Sequence, residues 1–300
     1  MRYWLFLTLL IYFPAEAQKT DNSLQKKIES LIRTHHGKVA VYVKNLKTGR
    51  TAAVNADSVY PTASLVKVPI LIGIMDKLNR NELQFHQELI YHDSLLYPGV
   101  DILGSFKQGE KIHLSKLMML MTTMSDNTAS IWLQLLAGTG TRINEIMDSL
   151  GFRYTRVNSR TQGRETERAR YGWGQCTARE MATLFERIYR REIITAAVSD
   201  RMLRSLSRNY WDGEAVSHIP PYATIFSKNG ALDEYRSEAV LVRGIKSEYV
   251  FCVITSQNQD TSWKEDNEAW QLIRQLSSML WNHFEPSRPW TPPPGADRYY

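Results

Sequence analysis

Ser64 and Lys67, in the run Pro61-Thr62-Ala63-Ser64-Leu65-Val66-Lys67-Val68-Pro69-Ile70-Leu71, are the residues whose types and spacing first suggest chemistry. On a helix, positions i and i+3 share a face, so this hydroxyl and amine would be neighbours. A serine hydroxyl becomes an effective nucleophile when a base takes its proton, and a lysine shielded from water can be that base. A helix starting at Ser64 would add free N–H groups and a partial positive field, which suit an oxyanion. Taken alone, the pair is a weak signal. On the order of one Ser-x-x-Lys is expected by chance in a chain this long, and Ser23-Leu24-Gln25-Lys26 is a second one. That second pair belongs to a stripe of Leu24, Ile28, Leu31 and Ile32, so Lys26 reads as part of a solvated helix face.

Two later triplets change the weight of the first pair. Ser125-Asp126-Asn127 interrupts an apolar helical run, and Lys228-Asn229-Gly230 lies on a predicted strand. Each has a plain structural reading, as a helix cap and a strand end. Together and in this order they match the motif set of class A β-lactamases and penicillin-binding proteins, except that Asn229 stands where that set has threonine. Over about residues 20 to 285, the chain resembles the penicillin-recognising serine hydrolases, and class A β-lactamases most closely.

The resemblance implies a role for each residue. Ser64 attacks a carbonyl carbon and becomes acylated, with Lys67 as base or proton relay. Lys228, a second cation nearby, depresses the Lys67 pKa and attracts a substrate carboxylate. Ser125 passes a proton to the leaving nitrogen. Asn127 holds the substrate amide, and Asp126 is a structural acceptor for backbone N–H groups. The N–H groups of Ser64 and Ala231 form the oxyanion hole, and Arg236 is a candidate carboxylate clamp. Two departures bear on activity. Asn229 differs from threonine in size and reach. The stretch Arg156 to Glu167 also lacks the Glu-x-x-x-Asn whose glutamate activates the deacylating water, leaving Glu165 and Glu167 as possible substitutes.

The elements that must position these residues follow in chain order. Asp21 to Arg33 has the apolar period of an amphipathic helix, closed by Gly37. Lys38 to Asn45 alternates as a half-buried strand, Lys47 to Arg50 is a hairpin turn, and Thr51 to Asn55 returns. The Ser64 helix extends to about Leu78, with Pro69 tolerated near its start. Asp93 to Lys107 reads as loop. Ser115 is expected to cap the methionine-rich helix that follows, its methionines filling core. Further helices are expected at Thr128–Leu136, Arg142–Leu150, Thr177–Arg190 and Ser199–Ser207. Tyr154 to Gln175 lacks apolar period, and its arginines (Arg156, Arg160, Arg164, Arg168, Arg170) read as a solvated loop that is functional or mobile. Strands return at Ala223–Ser227, Glu238–Arg243 and Glu248–Thr255. Asp266 to Phe284 closes as a helix, and the proline-rich segment 286–300 reads as a disordered or extended tail. Strands, then helices, then strands imply an α+β fold: an antiparallel sheet built from both chain ends, with a helical lobe at about 60–212 inserted between them.

Composition bounds the rest. Three hundred residues with 43% hydrophobic content can bury a large core. Arg2, the apolar run Tyr3 to Phe13 and Ala15-Glu16-Ala17 before Gln18 form an export signal over residues 1–17, leaving residues 18–285 as the hydrolase domain. The apolar run is short for a bilayer span, and no lipidation cysteine follows it. Losing Arg2 and Glu16 leaves the net charge at +6, which outside the cytoplasm suits anionic substrates or envelope surfaces rather than nucleic acid. Neither His-Glu-x-x-His nor Cys-x-x-Cys occurs, so no metal or cofactor is expected, and His35-His36 reads as surface. Cys176 and Cys252 are compatible with a disulfide or with two buried thiols. The expectation is an exported, periplasmic or extracellular monomer that is acylated on Ser64 and opens β-lactam amides. A D-alanyl peptidase or an esterase using the same serine, or a wall sensor that traps the acyl group, stands as the alternative.

Overall fold

The valines of Lys38–Asn45 decide how the sheet is covered. In this computed structural model, which describes residues 19–99 and 101–296, that segment is strand β1, and its buried side chains point both ways. Val39, Val41 and Val43 enter one apolar core, while Ala40 and Tyr42 enter another. The strand is therefore buried on both faces, because its five central residues are all apolar enough to sit away from water. The expected half-buried strand is corrected on this point.

Helix α1 (Asn22–Ile32), capped by the Asp21 carboxylate accepting from Leu24 N–H, precedes β1. The hairpin to β2 (Thr51–Val54) is fixed by the Asn45 side chain, which accepts from the N–H groups of Lys47 and Thr48. The two-residue strand β3 (Tyr60–Pro61) leads through a 3-10 turn, Ala63–Val66, into α2 (Lys67–Asn79). Then come β4 (Glu88–Ile90), β5 (Lys111–His113), α3 (Leu114–Thr123), α4 (Asn127–Leu136) and α5 (Thr139–Ser149). Next are β6 (Arg156–Val157), α6 (Glu165–Tyr171), β7 (Gly174–Cys176), α7 (Ala178–Tyr189) and α8 (Ala196–Leu206). The chain ends with β8 (Thr224–Leu232), β9 (Tyr235–Arg243), β10 (Glu248–Ser256) and α9 (Glu268–Phe284).

The main sheet is antiparallel in the order β2-β1-β10-β9-β8, so strands from the two chain ends meet at its centre, with Lys38 opposite Ser256. One face carries α1 and α9 over Val41, Val240 and Phe251; the other carries the helical lobe over Tyr42, Leu241 and Ile254. This is the α+β arrangement with an inserted helical lobe. Its edge strand β8 runs past the Ala63–Val66 turn, and that apposition creates the site.

Several local expectations change. Helix α3 begins at Leu114 after His113, so Ser115 lies inside its first turn and caps nothing. The segment Tyr154 to Gln175 holds β6 and α6, and two of its arginines are structural. Arg156 donates to the carbonyls of Phe152 and Thr155, and Arg164 to Asn158 Oδ1 at 2.7 Å and Gln175 Oε1 at 2.9 Å. Arg160, Arg168 and Arg170 are exposed, as a solvated segment requires. Both cysteines are free, buried thiols. The tail beyond Glu285 starts by folding back: Trp290 N–H donates to Asn282 Oδ1, Arg288 C=O accepts from Trp281 Nε1, and Trp290 packs on the α1/α9 core. The signal segment 1–17 lies outside the described residues. Among the described residues, no helix is long and apolar enough to cross a membrane, and no group of three or more acidic, histidine or cysteine side chains could hold a metal ion.

Candidate active site

Ser64 sits in the 3-10 turn rather than on α2 itself, and Ala63 before it has φ 44°, a left-handed conformation that turns the chain sharply out of β3. The turn still brings positions i and i+3 together: Lys67 Nζ lies 3.0 Å from Ser64 Oγ. Ser125, between α3 and α4, is also left-handed with φ 58°, and its Oγ lies 3.0 Å from the same amine. Asn127 Oδ1 is 2.8 Å from Lys67 Nζ, and the Ser125 carbonyl is a further close partner. Four of the expected residues therefore meet around one nitrogen.

Lys67 is 1% exposed. Burial holds its pKa well below the usual lysine range, and the nearby charge of Lys228 pushes the same way; Asp101 and Asp126 oppose them. A neutral amine has two N–H donors and one lone pair. The Ser125 and Asn127 carbonyl oxygens can only accept, so they take both hydrogens, and the lone pair is left for a serine hydroxyl. This arrangement suits Lys67 as a base toward Ser64.

The Ser125 loop is held by contacts outside its own sequence. Asp126 caps α4, accepting from Ala129 N–H at 2.7 Å, and accepts from Leu103 N–H at 2.8 Å. Its expected structural role is what the geometry gives. Asp101 accepts from the N–H groups of Asn127 (2.8 Å) and Thr128 (3.0 Å), a role invisible in sequence because the residue lies in a patternless loop. On the other side, Trp211 Nε1 donates to Met124 C=O and Asn209 Nδ2 to Ser227 Oγ, tying the loop before Ser125 to β8. Exposed aromatics stand on both flanks: Tyr97, edge-on to Trp173, and Tyr210, edge-on to Trp211.

On β8, Lys228 is fully buried; burial pushes its pKa down to about 8 against the opposing pull of Glu238 and Glu214. Its Nζ donates to the Asn229 carbonyl at 2.9 Å and to Asn229 Oδ1 at 3.2 Å. Gly230 lies against the backbone of Ser64, since a Cβ there would sit 2.7 Å from Ser64 N. Ala231 follows on the same edge strand, in register with Arg236 on β9.

Arg236 is the correction. Its guanidinium lies between the Trp263 and Trp270 rings, 4.6 and 4.7 Å from their centroids. It donates to the carbonyls of Leu232, Asp233, Tyr235 and Ser262. With its plane between two indoles and its N–H groups on backbone carbonyls, it serves the fold rather than a ligand's carboxylate. Glu165 and Glu167 lie on α6. Helix α6 buries none of its residues, and Glu165 accepts from Gly163 N–H. Among the described residues, neither glutamate hydrogen-bonds Ser64, Lys67 or Ser125, and the acidic groups felt by Lys67 are Asp101 and Asp126.

Comparison with known proteins agrees with this geometry. The beta-lactamase VEB-1 of Pseudomonas aeruginosa is 28% identical over 138 residues, 45% of this chain and 44% of that protein. The beta-lactamase regulatory protein BlaB of Streptomyces cacaoi is 30% identical over 110 residues, 34% of this chain and 35% of that protein. The chain thus spans less than half the length of either curated relative. In structure it is similar to a point mutant of PBP-A, solved as an acyl-enzyme complex with penicillin G, with a TM-score of 0.80 and 24% identity over 90% of this chain and 98% of that one. The sequence profile of the beta-lactamase enzyme family matches residues 23–284, nearly the whole described chain; this protein belongs to that family.

Proposed function

We propose that this protein is an exported serine hydrolase that opens β-lactam amides through an acyl-enzyme on Ser64 and releases the product slowly. The observation that carries the reading is the buried Lys67 amine, 3.0 Å from both the Ser64 and the Ser125 hydroxyl oxygens. Lys67 takes the Ser64 proton while Oγ bonds to the lactam carbonyl carbon. The N–H groups of Ser64 and Ala231 hold the resulting oxyanion, each such donor lowering the barrier by roughly 3 kcal/mol. Ser125 passes its proton to the lactam nitrogen and regains one from Lys67 as the C–N bond breaks, leaving an ester on Ser64. Export is supported by the charged, apolar and small-residue segments of residues 1–17.

Hydrolysis of that ester needs a base to activate water, and among the described residues neither glutamate of α6 hydrogen-bonds Ser64, Lys67 or Ser125. This favours a long-lived adduct, which is also what a D-alanyl peptidase poorly able to release β-lactams, or an acyl-trapping sensor, would show. Labelling with a fluorescent penicillin, followed by intact mass, tests the reading. One stoichiometric adduct is expected, absent in Ser64→Ala and formed about a thousandfold more slowly in Lys67→Ala. Full labelling of Ser64→Ala would remove the nucleophile assignment. Rapid decay of the adduct would identify an efficient β-lactamase.

A further inference from the structure

Asp101 lies outside the three sequence motifs, yet it holds one of them in place. Helix α4 opens with Asn127, Thr128 and Ala129, whose N–H groups have no carbonyl partners within the helix. Asp126 accepts from the third of these, and Asp101 Oδ2 accepts from the first two, at 2.8 and 3.0 Å. Asp101 stands between two further attachments of its loop to the same helix head. Tyr97 N–H donates to Thr128 Oγ1 at 3.1 Å, and Leu103 N–H donates to Asp126 Oδ2 at 2.8 Å.

What Asp101 fixes is the residue beside the base. Asn127 is the first residue of α4, and its Oδ1 accepts from Lys67 Nζ at 2.8 Å. The neutral amine needs that acceptor to keep its lone pair turned toward a serine hydroxyl. Any rotation of Asn127 at the helix head would free the hydrogen and leave the lone pair without a fixed direction. The charged groups that face Lys67 are Lys228 from β8, Asp126 from the cap of α4 and Asp101 from the loop; burial and Lys228 hold its pKa down, and the two aspartates oppose them. Asp126 is 1% exposed, so replacing it would disturb the core, whereas Asp101 is half-buried and can be changed by itself.

We propose that Asp101 is a positioning residue for acylation, holding Asn127 on the Lys67 amine through the head of α4 and facing that amine with a negative charge. The proposal rests on the reading of Lys67 as the base toward Ser64. Two variants separate the hydrogen bonds from the charge. Asp101→Ala removes both, while Asp101→Asn keeps an amide oxygen able to accept from the same two N–H groups and loses only the charge. The rate of adduct formation with fluorescent penicillin, followed across pH on the full chain, gives a maximum and an acid limb for each.

Asp101→Ala should lower the maximum about tenfold or more, and Asp101→Asn should restore it to within about threefold of wild type. In Asp101→Asn the acid limb should move to lower pH, because Lys67 gives up its proton more readily once an opposing anion is gone. A residue that served only the fold would cost stability and leave the limb in place. Should Asp101→Ala fail to fold by circular dichroism, Asp101→Glu, which keeps the charge and displaces the acceptor by a methylene, replaces it with the same expected loss. An undiminished maximum in the folded variant that lacks or displaces the acceptor, or an unmoved limb in Asp101→Asn, overturns the proposal. Absence of any adduct in the wild type overturns the acylation reading instead, so the two failures are distinct.

Discussion

Gly230 and Ser64 meet backbone to backbone. A methyl group on Gly230 would lie 2.7 Å from the Ser64 nitrogen, 2.9 Å from the Thr62 carbonyl oxygen and 3.0 Å from Ser237 Oγ. The glycine of the third motif is thus explained by contact with the Ser64 backbone, not by turn conformation. Gly230→Ala must push β8 away from the Ser64 turn and displace the Ser64 N–H from any oxyanion. Acylation should fall about a hundredfold while the protein stays folded, as read from adduct formation and circular dichroism. A normal rate would mean that the strand and the turn separate without consequence.

The two buried lysines set the pH dependence. Burial and the Lys228 charge hold Lys67 down, so acylation should rise with pH as Lys67 loses its proton. It should then fall above about pH 8, where Lys228 becomes neutral. Lys228→Met removes a positive neighbour, so Lys67 keeps its proton to higher pH and the acid limb must move upward while the alkaline limb disappears. Stability follows the same shift. The folded protein binds fewer protons at Lys228 than the unfolded chain between about pH 8 and the ordinary lysine value of 10.5. This group's contribution is therefore full above that window and lost as pH falls through it. A rate profile unchanged in Lys228→Met would contradict the coupling.

Because neither Glu165 nor Glu167 hydrogen-bonds Ser64, Lys67 or Ser125 among the described residues, both side chains should be dispensable for release of the acyl group. Glu165→Gln and Glu167→Gln are expected to leave the adduct half-life within about twofold of wild type, since substitutions of side chains that make no hydrogen bond to the site have small effects. Adduct decay after removal of free penicillin measures this. A large increase in half-life for either variant would make that glutamate the deacylating base.

Arg236 separates structural from catalytic arginines. Replacing it with alanine removes two cation–π contacts and leaves the Leu232, Tyr235 and Ser262 carbonyls without their partner. A loss of about 2–4 kcal/mol of stability is expected, seen in thermal unfolding. The acylation rate of the folded protein should stay within about threefold. Lysine should rescue poorly, because an ammonium has no plane to stack between two indoles.

Much of this site was legible in the sequence. Ser64 and Lys67 carry their spacing on the page, and Ser125 and Asn127 were identifiable once the first pair was in view; all meet at one amine. The strands β1 and β10 were legible as strands, but β1 read as half-buried from its alternation, because sequence alone does not show that a second layer covers its other face. Strands of two or three residues, such as β3, β6 and β7, are too short to show a period. Asp101 was missed because its partners are backbone N–H groups on a helix far along the chain. Arg236 was misjudged because the tryptophans that enclose it come after β10, and sequence does not show which way a side chain stacks. Glu214 and Glu238 looked like ordinary polar positions until the sheet buried one and turned the other toward Asn229.

The pairing of Lys38 with Ser256 has an implication for biosynthesis. Ser64, Lys67 and Ser125 emerge from the ribosome early, but β1 lacks its central neighbour, and Lys67 its companion cation, until β8 to β10 have been made. A truncated product ending before Glu248 should carry every hydroxyl of the site and still fail to react with penicillin. On the proposed reading, a nascent chain would gain the reactivity of Ser64 only once translation is essentially complete.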